Sequence, residues 1–196
     1  MKKFFTLIVA TLMASSMMAQ MHGAMTFAGP SSINVLTQNT GNACDTVRFE
    51  MASMSAGNIT LPVMQGMAAI PSFTIENVAF SKGENHVISI AEQTFTSKVT
   101  VNGEEKNIEG SSISGSYNMA DNSLTLKAVF KYGSMPFDLT YEVKAYYVKP
   151  VASAITVNVG GTFIYGNDGV TYNVRKYIDG DAEKVDVEIP TYTLDN

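Results

Sequence analysis

The sequence predicts an all-β protein: an antiparallel up-and-down barrel of about eight or nine strands, followed by a partial second β unit. Three observations predict it. Long runs alternate apolar and polar residues with a period of two, the spacing that puts one set in a core and the other in water. Tight turns of few residues separate these runs, and no stretch of ten or more residues holds a 3.6-residue period. A segment of the chain also returns. Ile70-Pro71-Ser72-Phe73-Thr74-Ile75-Glu76-Asn77 is answered by Ile189-Pro190-Thr191-Tyr192-Thr193-Leu194-Asp195-Asn196, with four identities and four like-for-like exchanges. Upstream, Ser31-Ser32-Ile33-Asn34-Val35 is answered by Ser153-Ala154-Ile155-Thr156-Val157. The two copies are offset by 119 and 122 residues, which sets a unit of about 120 residues and places a partial copy after it.

Residues 1–19 read as an export signal. Lys2 and Lys3 supply the positive start, and residues 4–13 form an apolar run too short to span a bilayer as a helix. Small residues follow, and cleavage is expected between Ala19 and Gln20. The alternative is a retained N-terminal anchor. Removing Lys2 and Lys3 from the 13 basic residues leaves 11 against 18 acidic ones, a net charge of −7. That balance disfavours nucleic acid and anionic membrane surfaces as partners. No later apolar run is long enough to span a membrane, so no transmembrane segment is expected after processing. The single cysteine, Cys44, makes no internal disulfide and falls in an expected loop after Gly41-Asn42-Ala43. The fold must therefore rest on its core, for which about 120 residues suffice.

The strands follow in order. Val47, Phe49 and Met51 alternate with Thr46, Arg48 and Glu50, and Ile59, Leu61 and Val63 with Thr60 and Pro62. Residues 64–69 offer one helical turn at most. Phe73 and Ile75 alternate with Thr74 and Glu76. Phe95, Val99 and Val101 alternate with Thr94, Thr96, Lys98 and Thr100. Asn102-Gly103 is a hairpin signal, because both central residues of a type I′ turn need positive φ. Ile113, Gly115, Tyr117 and Met119 form the next inward set. The clearest strands are residues 124–132, with Leu124, Leu126, Ala128, Phe130 and Tyr132 on one face, and residues 137–148, with Phe137, Leu139, Tyr141, Val143, Ala145 and Tyr147. Residues 93–148 thus read as a meander, and consecutive tight hairpins favour a closed barrel over a sandwich. The first unit covers residues 25–150. Residues 150–153 mark the junction to a truncated second unit at 151–196. Its strands lie near 154–159, 170–178 and 184–189, with turns at 166–169 and 179–181. Three or four strands cannot close a barrel, so an exposed apolar face is expected there unless these strands lie against the first unit or the chain continues.

This arrangement resembles the calycin-like family of exported bacterial β-barrel proteins, distant relatives of the lipocalins. The resemblance rests on the Lys2-Lys3-Phe4-Phe5 signal ending in Ala19-Gln20, the 120-residue β unit, the tandem copy and the segment at residues 70–80. It spans residues 25–150 fully and 151–196 in part. The Gly-x-Trp signature of true lipocalins is absent, since the chain has no tryptophan. The resemblance implies a barrel, export to the periplasm or beyond, and an apolar or amphipathic ligand. It implies no catalytic residue.

The residues themselves point the same way. A catalytic triad needs a base next to an oriented acid and a nucleophile. Of the two histidines, His86 opens a strand without such company. His22 stands two residues after Gln20, a spacing that chelates copper or nickel when the terminal amine is free. Cyclisation of Gln20 removes that amine. The acidic runs at residues 179–183 and 104–105 lack the spacing of a calcium loop and read as solvated turns. No metal, cofactor or catalysis is expected. The candidate ligand site is the barrel interior and mouth: Phe95, Tyr117, Phe130, Tyr132, Phe137 and Tyr141, with Met51, Met54, Met64 and Met67 as an adaptable lip. Two functions compete: a barrel that encloses a small apolar ligand in at least about 300 Å³, and a filled barrel that binds a protein or glycan through its surface.

Overall fold

A computed structural model describes residues 23–65, 69–83 and 85–189. Among these it contains eleven strands: β1 Met25–Val35, β2 Gln38–Met51, β3 Ala56–Leu61, β4 Phe73–Ala79, β5 Ser81–Lys82, β6 Val87–Val101, β7 Glu104–Asn118, β8 Ser123–Tyr132, β9 Leu139–Val159, β10 Thr162–Asp179 and β11 Ala182–Glu188. No helix occurs among the described residues. All pairings are antiparallel, in the order β4-β3-β2-β1-β9-β8-β7-β6-β5. The sheet is up-and-down as the alternation predicts, and β1 joins the meander to β9, pairing Phe27 with Tyr147 and Val35 with Leu139.

Local chemistry accounts for the turns. At the β6–β7 hairpin Asn102 and Gly103 both have positive φ, 52° and 82°, as the two-residue turn requires. Extra residues are absorbed as bulges, which reset the inward phase. Gly110 and Ile113 are both buried, although they are three apart, because the β7·β8 register shifts between Gly110 and Ser112. Gly110 is required there: a Cβ would lie 2.1 Å from the Phe95 ring.

The barrel is not closed by a continuous ladder. β5 pairs with the start of β6 through Ser81–Ser89 and Lys82–Ile88. Beyond that point β4 diverges from β6, and side chains bridge the seam. Gln93 mimics a peptide group: its Oε1 accepts from the Ala79 amide at 2.8 Å, and its Nε2 donates to the Ala79 carbonyl at 2.8 Å. Further along, Ser97 Oγ donates to the Thr74 carbonyl at 2.6 Å. Alternation specifies faces, not edges, so the seam lay outside its reach.

Three expectations change. Residues 41–45 are part of β2 rather than a loop, and Cys44 is exposed at a bulge there. Residues 62–70 form an antiparallel bridge, Met64 to Ile70, rather than a helical turn, with residues 66–68 outside the described set. Residues 166–169 are a bulge inside β10, not a turn; the chain reverses at Gly160 and Gly161, whose φ values are 60° and 84°. The 21-residue β9 runs through residues 150–153 without a break: its first half forms barrel wall, and its second half pairs with β10. There, among the described residues, β9, β10 and β11 make a three-stranded arm in which every residue of β11 is exposed.

Candidate functional site

The inward faces meet in one core. Phe130 is fully buried at its centre, edge-on to Phe73 with ring centroids 5.3 Å apart and tilted against Phe95 at 6.4 Å. Toward one end, Phe27 packs against Tyr117 at 5.1 Å and Tyr147 at 6.0 Å. A void of about 20 Å³ lies there, lined by Met25, Phe27, Phe49, Ile88, Tyr117 and Leu124. Burial, and then the charges of Tyr147 and Asp121, push the Tyr117 hydroxyl up to about 12. That hydroxyl donates to Asn122 Oδ1 at 3.1 Å.

The opposite end carries a polar cluster under the 62–70 segment. Asp45, 8% exposed, accepts from Ser31 Oγ at 2.5 Å, from Asn42 Nδ2 at 2.5 Å and from the Tyr141 hydroxyl at 3.3 Å. Burial, and then the Asp45 charge, hold the Tyr141 phenol far above the ordinary tyrosine range. Three donors offset the cost of burying a carboxylate without a cation beside it. A void of about 100 Å³ adjoins the cluster, lined among others by Thr40, Val63, Met64 and Gln65.

The sequence-predicted site residues divide accordingly. Phe95, Phe130 and Tyr141 are buried core. Tyr117, Tyr132 and Phe137 are partly buried against it, with Phe137 in the loop before β9 rather than in a strand. The methionines do not form one lip. β3 runs the length of the wall between Met51 and Met64, so they stand at opposite ends. Met64 is 2% exposed beside Tyr141, Met54 is 75% exposed, and Met67 lies outside the described residues, as do His22, the leader and residues 190–196. Asp45 was missed, yet its signal was available: it stands two residues before Val47, on the same inward phase.

At the seam lies a cavity of about 830 Å³, with the outward Thr74 and Glu76 on one bank, Thr96, Lys98 and Thr100 on the other, and the core residues Phe73, Val99 and Ile108 also in its lining. The outer face is charged, with ion pairs Lys98–Glu105 at 2.6 Å and Lys127–Glu142 at 2.9 Å. An apolar inside and charged outside is the reverse of a barrel that spans a membrane with its strands. No helix among the described residues is long and apolar enough to cross one. No group of metal-ligating side chains occurs among the described residues.

No family model matches the chain, and no curated protein matches it. A crystal structure of a Bacteroides fragilis protein, provisionally described as an outer membrane protein, is similar at a TM-score of 0.50 and 20% identity, over 64% of this chain and 50% of that one. The chain therefore spans half the length of that structure, and what the two share is the all-β fold.

Proposed function

We propose that this protein is an exported, non-catalytic interaction module of the calycin-like type: a filled barrel that binds a protein or glycan through its outer surface. One observation carries the reading. Away from the seam, the voids among the inward side chains are about 100 and 20 Å³, against the roughly 300 Å³ that an enclosed ligand needs; the cavity of about 830 Å³ at the seam, which reaches the core residues Phe73, Val99 and Ile108, is partly open to solvent. A filled interior is supported by the burial of Phe95, Phe130 and Tyr141 in the core, with Tyr117, Tyr132 and Phe137 partly buried against it. The seam cavity sets hydroxyls and charges around the apolar Phe73, Val99 and Ile108, and this mixed lining supports a surface that meets another macromolecule. Export is supported by the leader-like residues 1–19 and by the likeness in fold to a protein described as belonging to the outer membrane. Titration with a fluorescent fatty acid tests the reading. No saturable signal is expected; one-to-one uptake with a blue-shifted, quench-protected probe would sink it and restore the enclosed-ligand function.

A further inference from the structure

Two strand edges face each other across the seam with their backbone groups unpaired. On β6 the register to β7 shows which groups these are. Val101 and Glu104 close the two-residue turn and exchange both backbone bonds, so Val99–Lys106 and Ser97–Ile108 are the next hydrogen-bonded pairs. Thr96, Lys98 and Thr100 therefore aim N–H and C=O away from β7, at the seam. On β4 the Thr74 carbonyl accepts from Ser97 Oγ at 2.6 Å, so Thr74 aims its backbone groups at the seam, and Glu76, two residues on, does likewise. The Thr60 and Thr74 hydroxyls, 2.9 Å apart, mark that pair as one without ladder bonds to β3. Among the described residues no strand pairs with either edge here. Both edges lie inside the barrel wall, between described strands, and residues 72–76 and 96–100 hold no proline or glycine.

We infer that the seam binds an extended segment of a partner protein, which lies between β4 and β6 as an added strand. The cavity of about 830 Å³ lies between these edges. Its side chains select an alternating segment. Phe73, Val99 and Ile108 form the inner lining, so one set of the partner's side chains is apolar. Outward, the single lining cation, Lys98, is drawn over β7 by Glu105 at 2.6 Å, while Glu76 and Glu109 have no ion pair among the described residues. The other set is therefore basic. From Thr96 to Thr100 is about 13 Å at 3.3 Å per residue, the reach of a five-residue strand. Entry displaces the Ser97–Thr74 bond and replaces it with ladder bonds to both edges. The inference rests on the surface-binding function proposed above and names the class of partner.

Hydrogen exchange followed by NMR in the full chain reads these edges directly. In the chain alone, the amides of Lys98 and Thr100 are expected to exchange at least about tenfold faster than those of Ser97 and Val99, which pair with β7. The probe is a synthetic six-residue peptide, capped at both ends, that alternates valine and lysine. At about 1 mM, the weak end of specific binding, it is expected to slow the Lys98 and Thr100 amides by at least about tenfold. A peptide of the same composition with its valines and lysines in separate blocks is expected to leave them fast. N-methylation of the alternating peptide, at the valines alone or at the lysines alone, is expected to weaken binding about tenfold in either case, because alternate amides face alternate edges. Ser97→Ala removes the bond that entry must break and should tighten binding about fivefold. Lys98 and Thr100 amides already protected in the chain alone, as when a segment of the same chain fills the seam, overturn the inference. So does a lack of protection by the alternating peptide, or equal protection by the block peptide. If the peptide fails while the fatty-acid titration stays flat, this inference alone falls; saturable fatty-acid uptake removes the surface-binding function itself.

Discussion

Replacing Phe130 with alanine separates a filled barrel from a hollow one. The ring has no solvent exposure and touches two others, Phe73 at 5.3 Å and Phe95 at 6.4 Å. In a close-packed core, the substitution removes the ring's transfer energy and leaves a void that the surrounding strands cannot collapse around. The cost is about 3–5 kcal/mol, of which the two ring pairs account for about 0.5–1.5 kcal/mol each. Against a total stability of about 5–15 kcal/mol, this is a large fraction. With a urea slope of about 2 kcal/mol/M, the midpoint should fall by about 2 M. Equilibrium urea unfolding of parent and variant, monitored by circular dichroism, measures it. The variant should also bind benzene, which the parent does not, because an apolar void of this size stays dry and accepts an apolar guest. A loss below about 1 kcal/mol would mean that the ring borders a pre-existing hollow, and the filled-barrel reasoning would fail.

Three further outcomes are expected. Asp45→Ala leaves Ser31, Asn42 and Tyr141 without their acceptor and should cost about 2–3 kcal/mol by chemical denaturation, with Asp45→Asn costing less because shape and one acceptor survive. Gln93→Ala removes both bonds to Ala79; hydrogen exchange at the Ala79 amide should accelerate by at least about tenfold while amides of β8 stay protected, and uniform acceleration across the barrel would refute a local seam. Tyr117 titrates at about 12 in the fold, above its ordinary value of 10.0. Its contribution is therefore complete below pH 10 and is lost as pH rises from 10 towards 12. The melting temperature should drop across that window, and Tyr117→Phe should shallow the drop.

Fold class and most strand positions were legible in the residues because alternation is a local property: each inward residue from Leu124 to Phe130, and from Leu139 to Ala145, declares its face within its own strand. Turn chemistry was equally local at Asn102-Gly103. Asp45 was legible in principle, since it shares the phase of Val47, but a charged residue on an inward face invites being read as a loop. Other features depend on partners far along the chain. The phase shift at Gly110–Ser112 and the passage of β10 through residues 166–169 reflect one extra residue opposite a neighbouring strand, and nothing near the bulge announces it. Seam geometry depends on how β4 leaves β6 and on Gln93 reaching Ala79 across 14 residues of sequence. Whether the interior is hollow is a matter of how side-chain volumes interlock in three dimensions; a list of inward aromatics is the same for a chamber and for a packed core. By itself the sequence determined which residues face inward, because that is written in spacing along one strand. Tertiary structure alone decided how those residues pack against one another and how Gln93 and Ser97 bridge the seam, because packing and edge pairing belong to residues distant in the chain.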